Sequence, residues 1–146
     1  MLPYQQASIA AIEETELLVD LALETQATRI LDLGCGPGFV LDSLARRAGP
    51  SGSVVALDES PRWIEHLRAR EPRPGEAPIE VRRARLEDLA APAGGFDLIF
   101  ARWVLSFPAN VDRIVARLAD ALAPGGVLAV EDYQHEGIAL FPDSPG

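Results

Sequence analysis

The sequence predicts a doubly wound α/β fold, a mainly parallel five-stranded sheet with helices on both faces, and two observations carry that prediction. Strand-like and helix-like segments alternate along the chain with short joints rich in Gly and Pro, the pattern by which a parallel sheet is connected and covered. The run Ile30-Leu31-Asp32-Leu33-Gly34-Cys35-Gly36-Pro37-Gly38-Phe39-Val40 reads as a buried strand, a glycine turn and the opening of a helix.

The first element expected is a helix from about Gln6 to Glu24, with Ile9, Ile12, Leu18 and Leu21 recurring on its inner face. Strand one follows at Arg29 to Leu33. Behind its glycine turn Val40, Leu41, Leu44, Ala45 and Ala48 stand at helical spacing, and this helix stops before the turn run Gly49-Pro50-Ser51-Gly52. Strand two is Ser53 to Leu57. Ser60 then offers a helix cap and Pro61 a first-turn proline, and Pro72 ends that helix after Glu71. The proline- and charge-rich segment from Arg70 to Pro78 is a loop. Strand three lies at about Ile79 to Arg83, and strand four at Phe96 to Ala101 behind the Pro92-Ala93-Gly94-Gly95 turn. A last helix runs from Asn110, as cap, to Leu122 with Ile114, Val115, Leu118 and Leu122 on one face. Pro124-Gly125-Gly126 turns into strand five, Val127 to Glu131. Residues 1–146 are expected to form one domain: a helical segment 1–28, a core 29–133 and a tail 134–146.

Composition narrows the function. Of the 146 residues 48% are hydrophobic, enough for a single core. There are 22 acidic against 13 basic residues, giving a net charge of -9, and every basic residue is arginine. A surface this acidic repels phosphate backbones, so no nucleic acid partner is expected, and the cluster Arg82, Arg83 and Arg85 reads as a solvated strand edge. The lone Cys35 has no disulfide partner and no histidine near it in sequence, which fits a reducing cytoplasm and a packing role. No leader and no apolar stretch of membrane-spanning length stands out, so no membrane partner is expected, and no metal either.

The motifs sit where each strand stops, and ligands of open parallel sheets bind beyond those carboxyl ends. The glycines at 34, 36 and 38 are spaced G-x-G-x-G; a dinucleotide fingerprint would place its third glycine at 39, where Phe39 stands. Glycines permit positive φ and close approach of a ligand, and unpaired N–H groups at a helix start favour an anionic group. Strand two ends in Asp58, a carboxylate suited to both hydroxyls of a ribose. Helix capping is the competing reading of Asp58, and Ser60-Pro61 already supplies a cap.

With Asp32 before it, the glycine loop resembles motif I of the class I S-adenosylmethionine-dependent methyltransferases. The resemblance covers about Ile30 to Tyr133 and takes in Pro92 to Asp97, Ala101 to Phe107 and Leu122 to Gly126. It implies a Rossmann-like sheet of order 3-2-1-4-5 and S-adenosyl-L-methionine as cofactor. The loop of Asp32, Gly34, Cys35, Gly36 and Gly38 would cradle the methionine end, and Asp58, with Glu59 beside it, would meet the ribose. Arg85, Leu86 and Glu87 would surround the adenine; Arg85 holds the family's usual aspartate position, which leaves the contact to Glu87 or to the Leu86 backbone. Arg102 would face the cofactor carboxylate or an acidic substrate, against the alternative of an Arg–acid surface pair. Trp103 stands at the substrate mouth or packs. Asp132 and Tyr133 would meet the acceptor, and Tyr133 and His135 are the candidate general bases.

The implied reaction is methyl transfer to a small-molecule acceptor, in which alignment and exclusion of water matter more than acid–base groups. The family's fold normally adds a helix and a strand pair after strand five, for which the stretch after Glu131 is too short. The expectation is therefore a sheet that lacks that pair and either associates with a second copy through the edge of strand five or is marginally stable alone. An inactive, truncated cofactor-binding module is the alternative function. A nicotinamide-dependent oxidoreductase is disfavoured by Phe39 and by the absence of lysine, which removes any Tyr-x-x-x-Lys pair.

Overall fold

In the computed structural model, which describes residues 27–90 and 92–132 together with Asp20, five strands lie side by side in the order β3-β2-β1-β4-β5. They are β1 (Arg29–Leu33), β2 (Ser53–Asp58), β3 (Ile79–Arg83), β4 (Phe96–Arg102) and β5 (Leu122–Glu131), and every pairing is parallel. Three α-helices connect them: α1 (Leu41–Ala48), α2 (Pro61–Arg68) and α3 (Val111–Ala121), with a 3-10 turn at Leu86–Asp88. The expected N-terminal helix, Tyr133, His135 and the tail lie outside the described residues. No helix among the described residues is long and apolar enough to cross a membrane.

Side chains alternate across the pleat, so each strand feeds two cores. Ile30, Val54, Ala56, Leu98 and Phe100 pack with Leu41, Leu44, Ala45 and Ala48 of α1 and Leu67 of α2. On the opposite face Leu31, Leu33, Val55, Leu57, Ile99 and Ala101 pack with Ile114, Leu118 and Ala121 of α3. The apolar spacing behind the glycine turn thus becomes the buried stripe of α1. The start of the sheet is stapled by Asp97, which accepts hydrogen bonds from the backbone N of Thr28 (3.2 Å) and Arg29 (2.9 Å) and from Arg29 Nη2 (2.6 Å). Bonding to the Arg29 side chain, then to these amides, holds the Asp97 carboxyl down at about 2.

Several expectations need correction. Strand five begins at Leu122, which pairs with Phe96, but the next pair is Leu98 with Val127, so residues 123–126 bulge out opposite Asp97 alone and Gly125 makes the turn at φ +79°. Helix α2 ends at Arg68, ahead of Glu71, and frees Arg70 to pair with Asp42 of α1. Val115, expected inward, is exposed on α3. Ser60 and Asn110 occupy the N-cap positions of α2 and α3 without a side-chain capping bond.

Candidate functional site

Chain order runs outward from β1 to β3 and then crosses back to β4 beside β1. The reversal opens a crevice at the carboxyl ends of the strands, where loops diverge to opposite faces. The glycine turn leaves β1 at this point. Gly34, Gly36 and Gly38 all take positive φ, at +68°, +52° and +88°, a conformation that costs other residues about 1–2 kcal/mol. Their neighbourhoods differ. A Cβ built on Gly34 would lie 2.5 Å from Val104 Cγ2, whereas one on Gly36 meets nothing within 4 Å. Space therefore opens directly over the Gly36 backbone.

The loop's own N–H groups turn toward β2. Gly34 N and Cys35 N donate to Leu57 O at 2.8 and 3.0 Å, and Gly36 N donates to Asp58 Oδ2 at 2.9 Å. Asp58 Oδ1 accepts from Ser60 N at 2.8 Å, so Asp58 ties the glycine loop to the residue that precedes α2. Each carboxylate oxygen retains a further acceptor direction. At the first turn of α1, Asp42 already supplies the negative charge that a helix start favours and pairs with Arg70 and Arg73.

Beyond Asp58 lies a cavity of about 360 Å³, bounded on one side by Gly34, Asp58 and Glu59, on a second by Ala84 to Glu87, and on a third by Trp103, Val104 and Phe107. Arg85 is exposed, with Nε at 3.7 Å from carboxylate oxygens of both Glu59 and Glu87. Leu86 opens the 3-10 turn, and Arg117 of α3 donates to the Glu87 carbonyl. On β3, Arg82 pairs with Glu80, and Arg83 Nε donates to the Glu59 carbonyl at 3.1 Å.

Asp32 is buried in the central strand, and its Oδ2 has no partner. Burial and the nearby Asp58 carboxylate push it up to about 7, against the pull of Arg102. Burial and the same two carboxylates raise the Cys35 thiol far above its ordinary range, which makes it inert as a nucleophile.

Arg102 pairs with Glu131 across β4 and β5 at 3.2 Å; both side chains are largely buried, so this is an internal ion pair where a surface pair was the alternative expected. The Arg102 guanidinium also stacks 3.7 Å from the centre of the Trp103 ring. Trp103 is, among the described residues, the one non-glycine residue with positive φ, at +54°, a strained backbone of the kind that collects at functional sites. Its N–H donates to Glu131 O at 2.7 Å. Asp132, expected at the acceptor, directs its carboxylate into the Leu105–Ser106 turn. The sequence held no local signal for that role, because donor and acceptor lie 26 and 27 residues apart.

A glycine turn with open space above it, an acid at the end of the neighbouring strand and a cavity at the point where strand order reverses define a class: a Rossmann-like domain built to hold a small organic cofactor. The methyltransferase domain family matches residues 30–126, about two thirds of the chain, and the chain belongs to that family. It is 39% identical over 119 residues to the trans-aconitate 2-methyltransferase of Variovorax paradoxus, covering 80% of this chain and 42% of the relative. It is 34% identical over 109 residues to the nocamycin O-methyltransferase of Saccharothrix syringae, covering 75% and 39%. Among solved structures, an S-adenosylmethionine-dependent methyltransferase from Mesorhizobium loti superposes with a TM-score of 0.60 at 35% identity, covering 68% of this chain and 43% of that one. The chain spans about two fifths of the length of these curated relatives.

Proposed function

We propose that the chain binds S-adenosyl-L-methionine across the ends of β1, β2 and β4 and serves transfer of its methyl group to a small-molecule acceptor. The observation that carries the reading is the open, left-handed Gly36 turn bonded to Asp58. The donor set suits the cofactor: Asp58 and Glu59 offer acceptors to ribose hydroxyls, Leu86 and Glu87 bound the space for a flat base, and buried Asp32 offers an unpartnered oxygen beside the loop. Asp42 at the start of α1 speaks against a pyrophosphate there, and so against a nicotinamide dinucleotide.

When bound, the cofactor supplies an already activated methyl group on sulfur. The chain's part is then to fix the loop through Asp58, to wall the cavity with Trp103, Val104 and Phe107, and to exclude water, a proximity effect of up to ~7–11 kcal/mol. Tyr133 and His135 remain proposed as bases, with Tyr133 also proposed to touch the acceptor. The acceptor is proposed to be a carboxylic acid or hydroxyl compound, because relatives include a trans-aconitate 2-methyltransferase and a nocamycin O-methyltransferase. The acidic net charge supports a partner other than nucleic acid. Val130 is exposed on β5, which among the described residues pairs only with β4; association of two copies through this edge is proposed and is read by light scattering across a concentration series.

Calorimetry with S-adenosylhomocysteine and NAD tests the cofactor, and product formation with an acceptor panel headed by trans-aconitate tests the transfer. Binding of S-adenosylhomocysteine alone is expected. Binding of NAD instead would overturn the reading, and cofactor binding without product from any acceptor would favour a binding module.

A further inference from the structure

Trp103, Val104 and Phe107 form one wall of the cavity, yet they sit on an irregular turn between β4 and α3 that lacks a ladder of its own. What fixes such a turn must come from elsewhere in the chain, because its backbone N–H groups need partners once partly buried. Those partners are at the end of β5. Asp132 Oδ2 accepts from Leu105 N at 2.8 Å and Ser106 N at 3.0 Å, and Asp132 Oδ1 accepts from Ser106 Oγ at 2.6 Å. One residue earlier, Glu131 O accepts from Trp103 N at 2.7 Å, and its carboxylate holds Arg102, whose guanidinium lies against the Trp103 ring. The strained φ of Trp103 is maintained between these two anchors.

We propose that Asp132 is a positioning residue for the functional site: through its hydrogen bonds to Leu105 and Ser106 it sets where the Trp103–Phe107 wall stands. The inference deepens the proposed cofactor site and rests on that reading only for its ligand-binding arm. The amide of asparagine reproduces the geometry. Its oxygen accepts the two backbone N–H bonds, and its NH2 donates to the Ser106 hydroxyl, which reverses roles. A carboxylate that instead met a cationic group of cofactor or acceptor would lose the charge–charge attraction in asparagine, and affinity would fall there too.

The test uses Trp103 as its own reporter. The chain has two tryptophans, so Trp63→Phe leaves Trp103 as the sole indole. In that background Asp132→Ala is expected to shift Trp103 emission to the red and raise its quenching by acrylamide, while Asp132→Asn leaves both as in the parent. S-adenosylhomocysteine affinity, by calorimetry, is expected to fall about tenfold, ~1.4 kcal/mol, in Asp132→Ala and to stay within about twofold in Asp132→Asn. An Asp132→Asn variant that loses affinity, or an Asp132→Ala variant that folds and leaves Trp103 emission and quenching unchanged, overturns the proposal. Should alanine prevent folding, the asparagine arm still decides. A parent protein that ignores S-adenosylhomocysteine would overturn the cofactor reading while the fluorescence arm judged this one separately.

Discussion

Alanine at Gly36 separates the cost of a backbone conformation from the cost of filled space. At φ +52° the residue sits in the left-handed region, where alanine costs about 1–2 kcal/mol; part of that returns because the unfolded chain loses freedom when glycine is replaced, roughly 0.4–1 kcal/mol. The new methyl group meets nothing within 4 Å, so no packing penalty is added. Net destabilisation of about 1 kcal/mol is expected for Gly36→Ala. Gly34→Ala carries the same backbone strain at φ +68° and drives its methyl to 2.5 Å from Val104 Cγ2 and 2.9 Å from Val104 Cβ. Since Cβ cannot swing away by a rotamer change, overpacking adds about 1–3 kcal/mol, and Val104→Gly should restore part of it in a double-mutant cycle. Binding should respond more sharply at Gly36: a methyl group in the open space above the loop is expected to weaken S-adenosylhomocysteine by tenfold or more, about 1.4 kcal/mol upward. Urea denaturation with calorimetry of each folded variant measures both quantities. Equal destabilisation by the two alanines would refute the open-space reading, and unchanged affinity in Gly36→Ala would remove the loop from the binding site.

Asp58→Ala removes acceptors for Gly36 N and Ser60 N and should cost about 1.5–3 kcal/mol in S-adenosylhomocysteine binding, with a lower denaturation midpoint as well; unchanged binding in a folded variant would place the ribose elsewhere. Asp32, raised to about 7 in the fold against about 3.9 unfolded, keeps its proton longer in the native state. Its contribution to stability is full below about pH 4 and is lost as pH rises to about 7, so Asp32→Asn should flatten the decline of stability over that window in pH-resolved melts. Asp97, held at about 2, has the opposite sign: its contribution is present above about pH 4 and is lost as pH falls through about 2. Because Arg29 is half-exposed, Asp97→Ala should cost only about 1–2 kcal/mol in denaturant titrations at neutral pH.

The sequence by itself determined the strand–helix alternation, the five strands, the buried stripe of α1 and the position of the glycine turn. These are local properties: apolar spacing selects a face, and Gly or Pro selects a turn, within a few residues of one another. The family resemblance supplied the sheet order. Only the tertiary structure decided what the charged strand-end residues meet. Asp58 reaches back to Gly36 and on to Ser60, Arg102 pairs with Glu131, and Asp132 holds the Leu105–Ser106 turn. Register decided the rest: Leu122 pairs with Phe96 ahead of the Pro124-Gly125-Gly126 turn, so the turn becomes a bulge inside β5 where the sequence placed it before the strand. Parallel pairing brings the carboxyl ends of distant strands to one rim, so partner choice there depends on which strands are neighbours and how they are shifted, and no window of consecutive residues contains that information.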